Sequence, residues 1–355
     1  MADIYFELYN FEKLNELVAL ASTNYTSGDI ININYLNWQY NYNPFGKPFM
    51  IVARENEKNE MVGQYLVIPL QYLINGKIFN GTLSLNTLTR EDYRGKGLFI
   101  KMALKTYEEC ANKEHYFTVG YPNQQSYPGF VKKLNFIHEG DVPLLIKPFK
   151  PFKILINRLF KKGEKHGGNL PVIFEPTKIN NIQINYLSIK NDKDKYEHFW
   201  CTYSKNQTVI LNKSWEFIKW RYSEIPTRKY YIIKATVNEE IKALVIVRAE
   251  HTLGSKTGLI MDFLCLPEEK NIGSLLIKYL NKALQQNNIE LAACITMNNT
   301  LENGLLKSKG FFTVPKRILP QPIPYIVRIN KKFDGSEHLL KFDNWQIGFG
   351  DYDIF

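Results

Sequence analysis

The chain has 355 residues, 45% of them hydrophobic and 23% charged, which excludes a disordered or fibrous protein and leaves room for two domains of ordinary size. A formal net charge of +10 points to a polyanionic partner: nucleic acid, an anionic surface or a phosphorylated small molecule. No apolar run approaches the roughly eighteen residues of a membrane span, the N-terminal stretch carries acids where a secretory leader carries bases, and Cys110, Cys201, Cys265 and Cys294 lack metal-ligand spacing, so a cytoplasmic protein with reduced core thiols, no metal and no membrane partner is expected.

In chain order, a helix ending near Trp38 is followed by two strands of a hairpin, "FMIVAREN" and "MVGQYLVIPLQYLI", and by a third strand, "GTLSLNTLT". Behind "TREDYRGKGLF" the apolar positions Phe99, Met102, Ala103, Tyr107, Cys110 and Ala111 recur at helical spacing. A strand in "HYFTVGY", a short helix and a strand start at "NF" complete the series. Because a helix joins the third and fourth strands, they are expected to lie parallel through a right-handed crossover. Residues 147–168 then place seven Lys or Arg against one Glu, bracketed by Pro and Gly, and read as a basic linker. Beyond it the order recurs as "YYIIKATV", "IKALVIVRAE", "GLIMDFLCL", a helix, "ELAACITM" and a strand start at "GF".

The recurrence extends to residues. At one constant offset, Trp38 falls on Trp220, Pro44 on Pro226, Ile51 on Ile233 and Ala53 on Ala235; further on, Phe136 answers to Phe311. The chain therefore reads as two copies of one α/β unit, with domains expected at 1–146 and 176–355 and a linker at 147–175.

The loop "RGKGLF", Arg94 to Phe99, carries the clearest chemistry. Gly95 and Gly97 let the backbone approach a ligand, and the helix behind them offers unpaired amides at a positive dipole end. Arg94 and Lys96 add charge, so a pyrophosphate suits the loop. In the second copy the corresponding "PEEKNIGSLL" has one glycine, Gly273, no arginine, and two acids, Glu268 and Glu269, that would repel a pyrophosphate.

Strand, "TREDYRGKGLF", helix, "FTVGYPNQQS" and a short helix ending in "KKLNF" resemble the core of the GNAT superfamily of acyl-CoA-dependent N-acyltransferases. Its R-x-x-G-x-G/A pattern matches Arg94-Gly95-Lys96-Gly97-Leu98-Phe99, with Phe99 in place of a small residue. The resemblance implies two tandem GNAT-like domains, each a mixed, mostly antiparallel sheet with a splayed parallel strand pair flanked by helices. It also implies that Gly95, Lys96, Gly97, Leu98 and Phe99 hold the coenzyme A pyrophosphate, that Leu88, Thr89 and Arg90 pair with the pantetheine arm, and that Asn123 touches it.

Candidate catalytic residues are Tyr127, near where the family places a Tyr that protonates the leaving thiolate, and His138, which titrates in the useful range. Ser84, Asn86 and Asp262, on the third strands, are candidates for the acceptor side. One active and one degenerate GNAT unit resemble the nucleotide-sugar N-acyltransferases of bacterial surface polysaccharides. The expected reaction is direct transfer of an acetyl or short hydroxyacyl group, such as 3-hydroxybutanoyl, from acyl-CoA to the amine of a nucleotide-linked amino-deoxy sugar, with a dTDP-3-amino-3,6-dideoxyhexose preferred. Acylation of a peptide, aminoacyl or protein amine is the alternative, and a non-catalytic nucleic-acid-binding or scaffold protein is a second one.

Overall fold

The computed structural model describes residues 3–154, 167–319 and 321–352. The chain divides into two compact units: Met1–Asp141 with Glu224–Thr227 and Ile323–Asn344, and Val142–Ser223 with Arg228–Pro322 and Trp345–Phe355. These limits differ from 1–146, 147–175 and 176–355, because the second unit already begins at Val142, with Leu144–Pro148 in its sheet, and residues 323–344 belong to the first unit, with Pro324–Ile329 in its sheet. Of the basic run 147–168, residues 155–166 lie outside the described residues.

The first unit contains β1 (Ile4–Leu8), α1 (Leu14–Ser22), α2 (Ile33–Asn41), β2 (Phe49–Glu55), β3 (Met61–Ile74), β4 (Lys77–Thr89), α3 (Leu98–Asn112), β5 (Phe117–Gly120), α4 (Tyr127–Lys133) and β6 (Ile137–Asp141). Its sheet runs β1-β2-β3-β4-β5, then a late strand, Pro324–Ile329, then β6. The first four strands are antiparallel neighbours, β4 and β5 are parallel as the helix between them requires, and Pro324–Ile329 is antiparallel to both β5 and β6. Helix α3 buries Leu98, Met102, Ala103, Thr106, Tyr107 and Cys110 in a cluster with Ile51, Tyr65, Val67, Phe130 and Phe136. Asn32 caps α2 by accepting from the backbone amides of Asn34 at 3.0 Å and Tyr35 at 3.3 Å.

The second unit contains β7 (Leu144–Pro148), β8 (Thr177–Ile179), β9 (Ile182–Tyr186), α5 (Lys193–Ser204), β10 (Val209–Leu211), α6 (Trp215–Ile218), β11 (Tyr231–Val237), β12 (Glu240–Thr252), β13 (Ser255–Cys265), α7 (Lys270–Gln286), β14 (Leu291–Ile295), α8 (Leu301–Ser308) and β15 (Phe312–Thr313). Its main sheet runs β15-β7-β14-β13-β12-β11-β9-β8, with β13 and β14 parallel. Strand β10 lies parallel to Trp345–Gln346.

Local irregularities recur between the units. The β2–β3 register shifts between Ala53 and Arg54, and the β11–β12 register between Ala235 and Thr236. Each third strand also carries an extra residue: β4 near Asn86, which has φ 48°, and β13 at Met261. A bulge bends and twists its strand, and both bulges follow directly on the end of the parallel ladder, at Ser84↔Gly120 in one unit and Ile260↔Cys294 in the other. Among the described residues no helix is long and apolar enough to cross a membrane. Cys110, Cys265 and Cys294 are buried as expected, whereas Cys201 is exposed.

Candidate active site

In the loop between β4 and α3, Arg94, Gly95, Lys96 and Gly97 are exposed. Gly95 has φ +77° and Gly97 φ +75°, and a Cβ built on either meets no atom within 4 Å. The glycines therefore answer to backbone conformation and open space, not internal packing. Gly97 is the N-cap of α3, so the amides of the first helical turn face that space. Lys96 lies over the ring of Tyr93, its Nζ 4.3 Å from the centroid. Arg94 donates from Nη2 to Asn24 Oδ1 at 2.9 Å and from Nε to the Thr89 carbonyl at 3.3 Å.

Arg90 is also tied into the protein. Its backbone amide donates to the Val62 carbonyl at 2.9 Å, and its guanidinium holds both Asp92 oxygens at 2.8 Å and Glu60 at 3.0 Å. That pairing holds the Asp92 carboxyl below its ordinary range and braces the loop. Phe99 is explained by α4: a Cβ at Gly129 would come within 2.6 Å of Phe99 Cε1, so the large ring in place of a small residue fills the space over a glycine. Leu98 is buried against the sheet.

Beyond Ser84↔Gly120 the β4–β5 ladder stops, while β4 continues to Thr89 and β5 ends. Leu88 and Thr89 still pair with Gln64 and Gly63 on β3, so the strand is held on one edge and faces the gap with the other. Leu88 packs its side chain against Leu20 and Ala21. At the mouth of the gap Asn86 donates from Nδ2 to Tyr40 Oη at 2.7 Å and Gln39 Oε1 at 3.0 Å, and its carbonyl accepts from Gln64 Nε2 at 2.8 Å. Ser84 Oγ lies 2.8 Å from Tyr65 Oη, which also bonds Tyr107 Oη. Burial pushes both phenols up.

Asn123 holds the turn that leads into α4: its Oδ1 accepts from the backbone amides of Ser126 at 2.9 Å and Gln125 at 3.0 Å. Phe130 is buried among Tyr65, Phe99 and Phe136. Tyr127 Oη instead reaches His138 Nδ1 at 2.9 Å, and His138 Nε2 lies 3.2 Å from Asp141 Oδ1. The sequence reading named Tyr127 and His138 separately. It missed their junction and missed Asp141, whose only signal was its place three residues beyond His138.

The second unit differs at each matching point. Gly273 lies inside α7, and a Cβ there would sit 2.5 Å from Cys265 Sγ and 3.0 Å from Leu305 Cδ1, so this glycine permits close helix–strand packing. Beside the bulge on β13, the place that is open on β4, lies the chain's own tail. A Cβ at Gly348 would meet the Met261 carbonyl at 2.7 Å, and one at Gly350 would overlap Tyr222 Oη. Arg221 donates to the carbonyls of Tyr352 at 3.3 Å and Gly350 at 3.4 Å, and Gln346 donates to Tyr203 Oη at 3.2 Å.

Asp262, named as an acceptor-side candidate, lies beside this tail. It is buried, and it is bonded by Lys213 and Tyr222. Lys213 also holds Asp351 at 2.9 Å. Burial pushes the Asp351 carboxyl up to about 6 despite that ammonium.

Residues 11–138 match the profile of the acetyltransferase (GNAT) domain. Among solved structures, a GCN5-related N-acetyltransferase from Anabaena variabilis has 12% identity and a TM-score of 0.64, over 93% of this chain and 73% of that one. N-myristoyltransferase of Saccharomyces cerevisiae, solved with bound myristoyl-CoA, has 13% identity and a TM-score of 0.59, over 94% and 84%. A curated relative, the probable serine/threonine-protein kinase PBL3 of Arabidopsis thaliana, is 35% identical over 89 residues, 25% of this chain and 21% of that protein. The chain thus spans about a fifth of the length of that relative. The fold is a mixed α/β GNAT fold, and its two sheets are compatible with two GNAT-like domains.

Proposed function

We propose that the protein is an acyl-CoA-dependent N-acyltransferase with its GNAT domain in the first unit, a reading supported by the matched profile and the similar folds, and that it acylates the amine of a nucleotide-linked amino-deoxy sugar, a dTDP-3-amino-3,6-dideoxyhexose first among candidates. The observation that carries the reading is the asymmetry of the two units. One has an open glycine cradle with cations and an open strand edge; the other has a packed glycine and its own tail at the matching place. One coenzyme per chain follows, held by the amides of residues 95–99 and the β4 edge at Leu88 and Thr89. The basic balance of the chain supports a diphosphate-bearing acceptor.

In the proposed reaction the amine nitrogen attacks the thioester carbonyl carbon, the C–S bond breaks, the nitrogen loses a proton and the thiolate gains one. A sugar amine titrating near an α-amino group, about 7.7–8.0, is deprotonated at pH 7 for only about 1.4 kcal/mol, so solvent can take its proton. The thiolate side has a built relay. With His138 as imidazolium both ring nitrogens donate, Nε2 toward Asp141 and Nδ1 toward Tyr127, which leaves the Tyr127 hydroxyl proton for the departing sulfur.

The likeness to N-myristoyltransferase favours one second reading, a peptide amine as acceptor. A thiol-release screen decides between them, pairing acetyl-, 3-hydroxybutanoyl- and myristoyl-CoA with dTDP-amino sugars and with peptides bearing a free N-terminus. Release driven by peptides and by no amino sugar would overturn the sugar reading.

A further inference from the structure

We propose that the second unit carries a docking surface for an anionic phospholipid membrane, built on an apolar groove that acyl transfer does not use. The groove encloses about 250 Å³ and is lined by apolar side chains, among them Ile146, Pro151, Ile154, Leu291, Val314 and Ile318. Small-molecule pockets ordinarily set a few polar groups among apolar walls to orient their ligand. Among the described residues this lining offers no polar side chain to orient a nucleotide or a sugar, whereas a hydrocarbon chain needs none.

Polarity begins at the rim. The segments that line the groove carry Lys150, Lys153, Lys316 and Arg317 immediately beside the lining residues, and Lys153, Lys316 and Arg317 are exposed. The acid met there, Glu290, is itself buried and paired with Lys153 at 2.6 Å. Cations around a greasy groove complement an anionic amphiphile. Two large exposed apolar side chains choose between a dispersed amphiphile and a bilayer: Phe152, outside the lining, is 81% exposed, and Ile318, part of the lining, is still 54% exposed. A pocket for a single soluble lipid would bring such side chains inward; side chains standing outward beside lysines and arginine suit entry into the boundary between headgroups and acyl chains. The proposal departs from the expectation of no membrane partner, which rested on the lack of a spanning segment. A surface-bound protein needs none.

The test is co-sedimentation of the full-length chain with vesicles of mixed phosphatidylglycerol and phosphatidylcholine, and with vesicles of phosphatidylcholine alone. Partition into the mixed vesicles only, weakened by added salt, is expected. Lys316→Gln with Arg317→Gln should lower it by about fivefold per cation removed. Because a chain of this net charge can adsorb by charge alone, the deciding variant is Phe152→Ala with Ile318→Ala, expected to lower partition by about tenfold or more. Circular dichroism and coenzyme A affinity should stay unchanged in both double variants, which separates this proposal from the acyl-transfer reading. Absence of binding to the mixed vesicles, binding that survives the apolar double variant, or capture of dispersed fatty acid without vesicle binding would each overturn it.

Discussion

Replacing Gly97 and replacing Gly273 should produce opposite signatures. Gly97 sits at φ +75° in open space, so an alanine pays only backbone strain, about 1–2 kcal/mol for an L-residue in the left-handed region. Its Cβ would also project into the cradle. Losing even one amide contact to a charged phosphate oxygen is worth about 1.5–3 kcal/mol, or about 10- to 150-fold in coenzyme A affinity. Gly97→Asn separates the two effects, because asparagine tolerates the left-handed conformation and still carries a Cβ. Gly273→Ala instead drives a Cβ to 2.5 Å from Cys265 Sγ, an overpacking cost of about 1–3 kcal/mol, and should leave coenzyme affinity unchanged. Calorimetric titration with coenzyme A and denaturant melts on the intact chain measure both quantities. Wild-type coenzyme affinity in folded Gly97→Asn, or equal affinity losses at Gly97 and Gly273, would refute the cradle.

The same titration should return one coenzyme per chain, since the tail at Gly348 and Gly350 occupies the second unit's matching place; two would contradict the asymmetry. Tyr127→Phe should lower kcat by about 10²-fold with coenzyme affinity intact, and Asp141→Asn should lower kcat less while shifting its pH profile; an unchanged kcat in Tyr127→Phe would remove the relay. Asp351 is raised in the folded state to about 6 from an ordinary carboxyl near 3.9, so the fold binds its proton more tightly than the unfolded chain does. Its contribution is therefore fully present below about pH 4 and lost as pH rises through about 6, on the order of 2–3 kcal/mol. Denaturant melts from pH 4 to pH 8 should show that slope in the wild type and a shallower one in Asp351→Asn; identical slopes would show that Asp351 does not titrate there.

Much of the first unit could be read from local pattern. Strand β3 coincides with its sequence prediction, β2 differs by one residue at its end, and the helix behind "RGKG" begins at Leu98, because a short apolar run between turn residues, period-3.6 burial and a left-handed glycine at a helix start are properties of adjacent residues. Repetition was legible for the same reason: Ala53 and Ala235 occupy the same place before a register shift in their strands. The loss of the second cradle was visible as missing glycine and arginine and as added acids.

Tertiary structure alone decided what depends on partners distant in the chain. Pro324–Ile329 completes the sheet beside Phe117–Gly120, so residues 1–146 by themselves would lack the strand that joins β5 to β6, and nothing in the spacing of either segment encodes that pairing. Asp262 is met by Lys213 and Tyr222, and the Arg90 guanidinium by Asp92 and Glu60. Tyr127, His138 and Asp141 come within hydrogen-bond reach only because a helix and a strand bring them together. A sequence sets which groups can bond and the local backbone that carries them. Which of those groups are satisfied internally, and which face an open cleft, depends on long-range packing, where charge and hydrogen-bonding capacity are first spent.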